Sequence, residues 1–291
     1  MHSLLLAASF PILLTTCQLS DAPQSFPTAN SPASRSSAKI IQPSGKTVKT
    51  RILPPTGYTR TPAPPTSFVH FLRSLPLKPH GLPVLLYNGL SKSNQSAHAA
   101  ILTLDVGTRD LQQCADAVMR LRVEYLFAQG RLEDIHFNFT SGFRAEFSRW
   151  AKGERIRVKG NGASWYVGAP SDASHKSLRQ FLDVVYSYAG TRSLEKELKP
   201  VPLSDVQAGD VFIHGGSPGH AVIVMDVAKN AAGEKVFLLA QSYMPAQDIH
   251  VLVNPANPDL SPWYAVAEIG DVLETPEWEF GVEELRRFPT E

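Results

Sequence analysis

"GDVFIHGGSPGHAVIVMDV", Gly209 to Val227, is the stretch that decides the architecture. Two apolar runs of strand length, "VFI" and "AVIVMDV", flank a Gly/Pro-rich turn, "GGSPG", and that pattern predicts adjacent β-strands. From His220 onward the residues alternate. His220, Val222, Val224 and Asp226 are expected on one face, and Ala221, Ile223, Met225 and Val227 on the other. A second turn, "KNAAGEK", leads into "VFLLAQSY", which returns beside the first strand. A hairpin symmetric about Ala231–Ala232 sets His220 opposite Tyr243, with Gln241 as its diagonal neighbour on the same face. A slip of one residue brings Ser242 there instead.

Upstream, "TRDLQQCADAVMRLRVEYLFAQG" reads as a long helix. Leu111, Cys114, Val118, Leu121 and Tyr125 form its apolar stripe, and Gly130 ends it. Asp110 is the expected N-cap, with Gln113 at the capping-box position. Cys114 then sits in the first turn, where unpaired N–H groups and the helix dipole favour an anion. "SHKSLRQFLDVVYSYAGTRSLEKEL" predicts a second helix, with Leu178, Phe181, Leu182, Val185 and Tyr188 on one face. Shorter helices are expected in "SFVHFLRSLPL" and "FRAEFSRWAKG". Strands are expected in "GLPVLLYNG", "AHAAILTLDVG", "DIHFNFTSGF" and "IHVLV". Helices followed by antiparallel strands indicate an α+β fold, and residues 66–291 read as one such domain.

The 291 residues are 43% hydrophobic and 19% charged, with a net charge of +1. That balance gives no electrostatic reason to expect nucleic acid as a partner. "LLLAASFPILLTTC" is too short for a membrane helix but fits the apolar region of an export signal. Its end, "LLTTC", resembles a bacterial lipobox, which implies processing of residues 1–17 and lipidation at Cys17. Residues 18–65, rich in Pro, Ser and Thr, are expected to form a tether. The protein is thus expected in the bacterial envelope, anchored by lipid. There are two cysteines, so a body processed at Cys17 keeps one thiol, Cys114, and no disulfide.

"GDVFI…GHAVIV" is similar to the strand pair of NlpC-type and CHAP-type papain-like cysteine peptidases and amidases, and "QQCADAV" resembles the cysteine-bearing helix start of CHAP domains. The resemblance implies a papain-like core in which the cysteine helix packs on an antiparallel sheet. Cys114 would be the nucleophile, His220 the base and Gln241 the residue that orients the imidazole. Cys114 and His220 lie farther apart in sequence than is usual there, which implies an insertion. From about residue 66 onward, "LQQCADAVMRLR", "IHFNFTSGF", "GHAVIV" and "LLAQSYMPAQDIH" resemble an uncharacterised bacterial family, domain of unknown function 4846.

An exported cysteine hydrolase of this kind is expected to act on peptidoglycan stem peptides or related amides, without a cofactor. The alternative is a non-catalytic envelope module that binds glycan or a partner protein. A metal site built from His214 and His220 with Asp210 or Asp226 is a weaker reading, because the chain has no HExxH or CxxC.

Overall fold

The computed structural model describes residues 39–289. The export segment, Cys17 and the first part of the tether lie outside the described residues. An antiparallel nine-stranded sheet forms the centre. Its main path runs His98–Ile101, His250–Leu252, Lys235–Gln241, His220–Lys229, Val211–His214, Leu285–Arg287 and Lys199–Pro200. Thr59–Arg60 also pairs with the His220 strand, and Trp263–Ala265 with the Lys235 strand. Helices and sheet together make an α+β fold, as the sequence pattern predicts.

The two long central strands explain the two-layered packing. Ala221, Ile223, Met225, Leu238 and Ala240 face a core that includes Val118 and Leu121 of the Cys114–Ala128 helix. Val222, Val224, Phe237 and Leu239 face the other way, against Leu273, Phe280 and Tyr264. Each large apolar side chain removed from water here contributes about 1.5–3 kcal/mol, which fixes which face each strand residue takes.

The alternation breaks once. Leu238 pairs with Asp226 but Leu239 pairs with Val224, which leaves Met225 as the extra residue of a β-bulge. Beyond it the faces exchange. Val227 joins Val222 and Val224, and Asp226 turns toward the helical layer. The expectation that Asp226 shares a face with His220 is therefore corrected. A bulge sets two residues against one, so period-two reading fails past it. Between His220 and Val224 the expected faces hold.

Asp226 is completely buried. Its carboxylate accepts from Arg60 Nε at 2.5 Å, Arg73 Nε at 2.6 Å and the Val227 N–H at 2.8 Å. Arg73 lies in the last turn of the Phe68–Ser74 helix, which Ser67 caps by accepting from the His70 N–H. Arg60 lies in the stretch expected to be tether. Residues 39–65 instead pack on the body: Val48 and Ile52 are fully buried, Ile41 bridges Ile52, and Thr59–Arg60 is a strand. The ordered body thus starts before residue 66. Its Pro/Ser/Thr composition hid four anchoring residues, Val48, Ile52, Arg51 and Arg60.

Other local expectations shift for identifiable reasons. "GLPVLLYNG" makes only isolated bridges, Leu85 to Ser91 and Leu86 to Gln247. The second helix divides into His175–Tyr188 and Thr191–Glu197 at Ala189–Gly190. "FRAEFSRWAKG" begins as the strand Arg144–Glu146 and becomes helical at Phe147–Ala151. A two-stranded ribbon, Glu154–Lys159 with Gly162–Val167, follows it. Among the described residues no helix is long and apolar enough to cross a membrane.

Candidate active site

Cys114 is the first residue of its helix. The N-cap is Gln113 rather than Asp110, and its N–H donates to Asp116 Oδ2 at 3.0 Å. Asp110 is one turn too early to cap. It accepts from Gln113 Nε2 at 3.0 Å and from the Ala246 N–H at 2.7 Å. Ser242 Oγ lies within hydrogen-bond distance of the Gln112 and Gln247 carbonyls, at 3.1 and 2.8 Å. The helix start is thereby fastened to the chain just beyond the Gln241 strand, and hairpin and helix meet at one point.

The N–H groups of Ala115, Ala221 and Cys114 itself favour the thiolate of Cys114. Ala221 directly follows His220, so the thiol lies against the strand that carries the imidazole. The expected acidic thiol is nevertheless not what results. Cys114 is 7% exposed, and burial pushes its thiol up to about 11, with the Asp116 carboxylate adding to the rise. Desolvation of the anion outweighs the helix-start N–H groups. Asp116 is buried too, which pushes its carboxyl up to about 8. Near neutral pH it therefore holds a proton and stops opposing the thiolate. Among the described residues, Asp116 Oδ1 and the Tyr186 hydroxyl have no hydrogen-bond partner.

His220 opens its strand and is 2% exposed. Its ring is enclosed by Tyr243, Trp278 and Phe280, with centroids 4.8, 5.4 and 5.8 Å away. This burial pushes the imidazole down to about 4, against a smaller upward pull from the Gln241 hydrogen bond and the Glu277 charge. Nε2 lies 2.8 Å from Gln241 Oε1. Gln241, 1% exposed, places its amide nitrogen 2.7 Å from Glu277 Oε2 and 3.4 Å from His250 Nε2. Among the described residues no hydrogen bond joins Cys114 Sγ to the His220 ring.

An open cleft of about 470 Å³ lies over the thiol, lined by Gln113, Cys114, Asp116, Tyr186, Thr191 and the Gly216–Gly219 loop, among others. The cis Ser217–Pro218 bond lies in that loop, the "GGSPG" stretch. The insertion between Cys114 and His220 thus supplies one wall of the cleft through Tyr186 and Thr191.

The four residues of the metal reading have separate partners. Asp226 is held by two arginines, Asp210 accepts from Arg287 Nε at 2.7 Å, and His214 Nδ1 lies 2.6 Å from Glu284 Oε1. Among the described residues no group of three or more His, Cys, Asp or Glu is placed to hold a metal ion.

Sequence reasoning gave Glu277, Trp278 and Phe280 no place beside His220 and Gln241. They lie in "ETPEWEFG", between the short strands Val272–Glu274 and Glu279–Gly281. Nothing local signals that Glu277 meets a residue 36 positions earlier.

No curated protein and no solved structure matches this chain. One family model matches residues 48–287, a span that takes in the early segment as well as the helix, the hairpin and the C-terminal residues around His220. The chain belongs to the family described as domain of unknown function 4846.

Proposed function

We propose that this protein is an envelope cysteine hydrolase with a papain-like core, a peptidase or amidase acting on peptidoglycan stem peptides or related amides. The observation that carries the reading is one meeting point. A thiol at the first position of a helix is favoured as an anion by the N–H of Ala221, the neighbour of a buried histidine whose Nε2 faces Gln241. Nucleophile, base and orienting group are the three parts a thiol-based acyl transfer needs.

The raised thiol and lowered imidazole make the resting pair neutral near pH 7. The thiol then ionises as it attacks. Cys114 Sγ bonds to the substrate carbonyl carbon, and its proton passes to the free nitrogen of His220. The N–H groups of Cys114 and Ala115 favour the negative charge that develops. Collapse breaks the C–N bond, and the imidazolium returns the proton to the leaving amine. Water, deprotonated by the same imidazole, then attacks the thioester, releasing the acid and restoring the thiol.

The sequence of residues 1–17, which resembles an export signal ending in a lipidated Cys17, supports a substrate in the envelope. The test is incubation of the protein with purified peptidoglycan and mass spectrometry of the soluble products. Wild type releases peptide or amino-sugar fragments, and Cys114→Ala does not. The low exposure and raised pKa of Cys114 favour a second reading, a non-catalytic module that binds glycan or a partner protein in the same cleft. In that case no fragments appear, and Cys114→Ala leaves binding unchanged.

A further inference from the structure

The hydrogen bonds behind His220 constrain which of its nitrogens carries the hydrogen. Lys92, 6% exposed, is ion-paired with Glu277 through Oε1, and its ammonium also donates to the Asn94 carbonyl at 3.2 Å. Beside that cation Glu277 is a carboxylate, so its other oxygen, 2.7 Å from Gln241 Nε2, can only accept. The same amide nitrogen meets His250 Nε2 at 3.4 Å. His250 Nδ1 lies 2.9 Å from the Asp248 carbonyl, which can only accept, so Nδ1 holds the hydrogen. Burial keeps that ring neutral, and its Nε2 is left with a lone pair.

Two acceptors on separate elements thus face one end of the Gln241 side chain. Only the NH₂ end satisfies both, with one hydrogen for each. The amide cannot be flipped, and its oxygen must point at His220. An acceptor 2.8 Å from His220 Nε2 requires a hydrogen on that nitrogen. A neutral imidazole has one N–H, so Nδ1 is bare.

We propose that Glu277 and His250 are positioning residues that lock the Gln241 amide, and so commit His220 to the Nε2–H tautomer with Nδ1 as the nitrogen that receives the thiol proton. The tautomer rests on the hydrogen bonds alone; the role of Nδ1 as proton acceptor rests on the hydrolase reading. Lys92 holds Glu277 in charge and place, and the Val272–Gly281 hairpin is the element that delivers it. That hairpin also brings Trp278 and Phe280 against the ring, so one element both encloses the histidine and sets its proton.

The experiment uses the full chain labelled with ¹⁵N, with long-range ¹H–¹⁵N spectra of the histidines at pH 7. His220 is expected to show a protonated Nε2 and an unprotonated Nδ1. Glu277→Leu removes an acceptor, and the His220 signals move to mixed tautomers. Glu277→Gln has one oxygen for two donors; with that oxygen on the Lys92 ammonium its NH₂ opposes Gln241 and the signals are mixed as well, whereas Lys92→Met with Glu277→Gln frees the oxygen for Gln241 and restores the wild-type pattern. In hydrolysis, Glu277→Leu lowers kcat about a hundredfold with KM little changed, within the range of a mispositioned acid–base group. A purely structural role for Glu277 would not move the tautomer signals of the folded protein. An Nδ1–H tautomer in wild type overturns the proposal, as does a Glu277→Leu spectrum identical to wild type. If Glu277→Leu does not fold, the wild-type spectrum alone decides. If the tautomer pattern is as expected but no substrate is turned over, the lock stands and the hydrolase reading falls.

Discussion

Alkylation of Cys114 by iodoacetamide as a function of pH separates a neutral thiol–imidazole pair from a preformed ion pair. The thiol is raised from an ordinary 9.0 to about 11. That rise includes the Asp116 charge, so at pH 7, with Asp116 protonated, about 10⁻⁴ is the lower limit of the thiolate fraction, up to a hundredfold below that of an unperturbed thiol. The more basic thiolate is about eightfold more nucleophilic, given the usual dependence of reactivity on basicity. Cys114 should therefore react more slowly than a free thiol at pH 7, by up to about tenfold. The rate should climb roughly tenfold per pH unit up to about pH 8. Above that, Asp116 ionises, since its carboxyl titrates near 8, and a like charge beside the thiol flattens the climb. Asp116→Asn cannot ionise. It should match wild type below pH 7 and run ahead of it above pH 8. The assay is second-order inactivation followed by intact-protein mass spectrometry from pH 5 to 9.5, with circular dichroism to verify the fold at each pH. A rate already flat between pH 5 and 7 refutes the neutral pair. An equal effect of Asp116→Asn at pH 6 and pH 9 refutes the role given to the Asp116 charge.

Further outcomes can be measured on the same material. Asp226→Asn leaves the buried Arg73 and the partly buried Arg60 without their carboxylate and should destabilise the fold by about 3–5 kcal/mol in urea unfolding; a loss below about 1 kcal/mol contradicts the bulge-directed ion cluster. His220 and His250 have imidazoles lowered by burial to about 4 and about 3. The unfolded chain takes up these protons first, so their stability is present above about 6.5 and lost as pH falls through 4 and then 3. His250→Phe should flatten that acid limb, and an unchanged limb argues against a neutral, buried His250. Glu197, raised by burial to about 7, acts in the opposite sense. Its stabilisation is complete below about 4.5 and is lost as pH rises through 7, so Glu197→Gln should gain stability over wild type at pH 8 but not at pH 4.

The α+β class, the hairpin and the cysteine helix were legible because each rests on local periodicity and turn chemistry. The places of Cys114 at a helix start, His220 at a strand start and Gln241 at the end of the next strand were legible because these residues terminate those elements. The missing parts are of another kind. Asp110 looked like the cap because capping residues are common one turn before a stripe, but tertiary bonds to Ala246 and Gln113 claim it. The bulge at Met225 leaves no compositional mark, so Asp226 was assigned to the wrong face. Glu277 and Trp278 reach His220 through tertiary contacts only. The thiol's acidity was misjudged because the helix start is visible in sequence, whereas the burial that outweighs it is a property of the assembled layers.

The Asp226 cluster also has a consequence for the order in which the chain can fold. Arg60 and Arg73 reach their carboxylate across 166 and 153 residues. During synthesis from the N-terminus both cations emerge long before the acid that satisfies them. The early segment with Val48 and Ile52 must then wait, unsealed, until the central hairpin has been made. The Leu285–Arg287 strand closes the sheet beside Val211–His214 later still. Pairings this distant in sequence should make folding slow and strongly cooperative. A nascent chain stalled before the hairpin should remain sensitive to protease along its whole length.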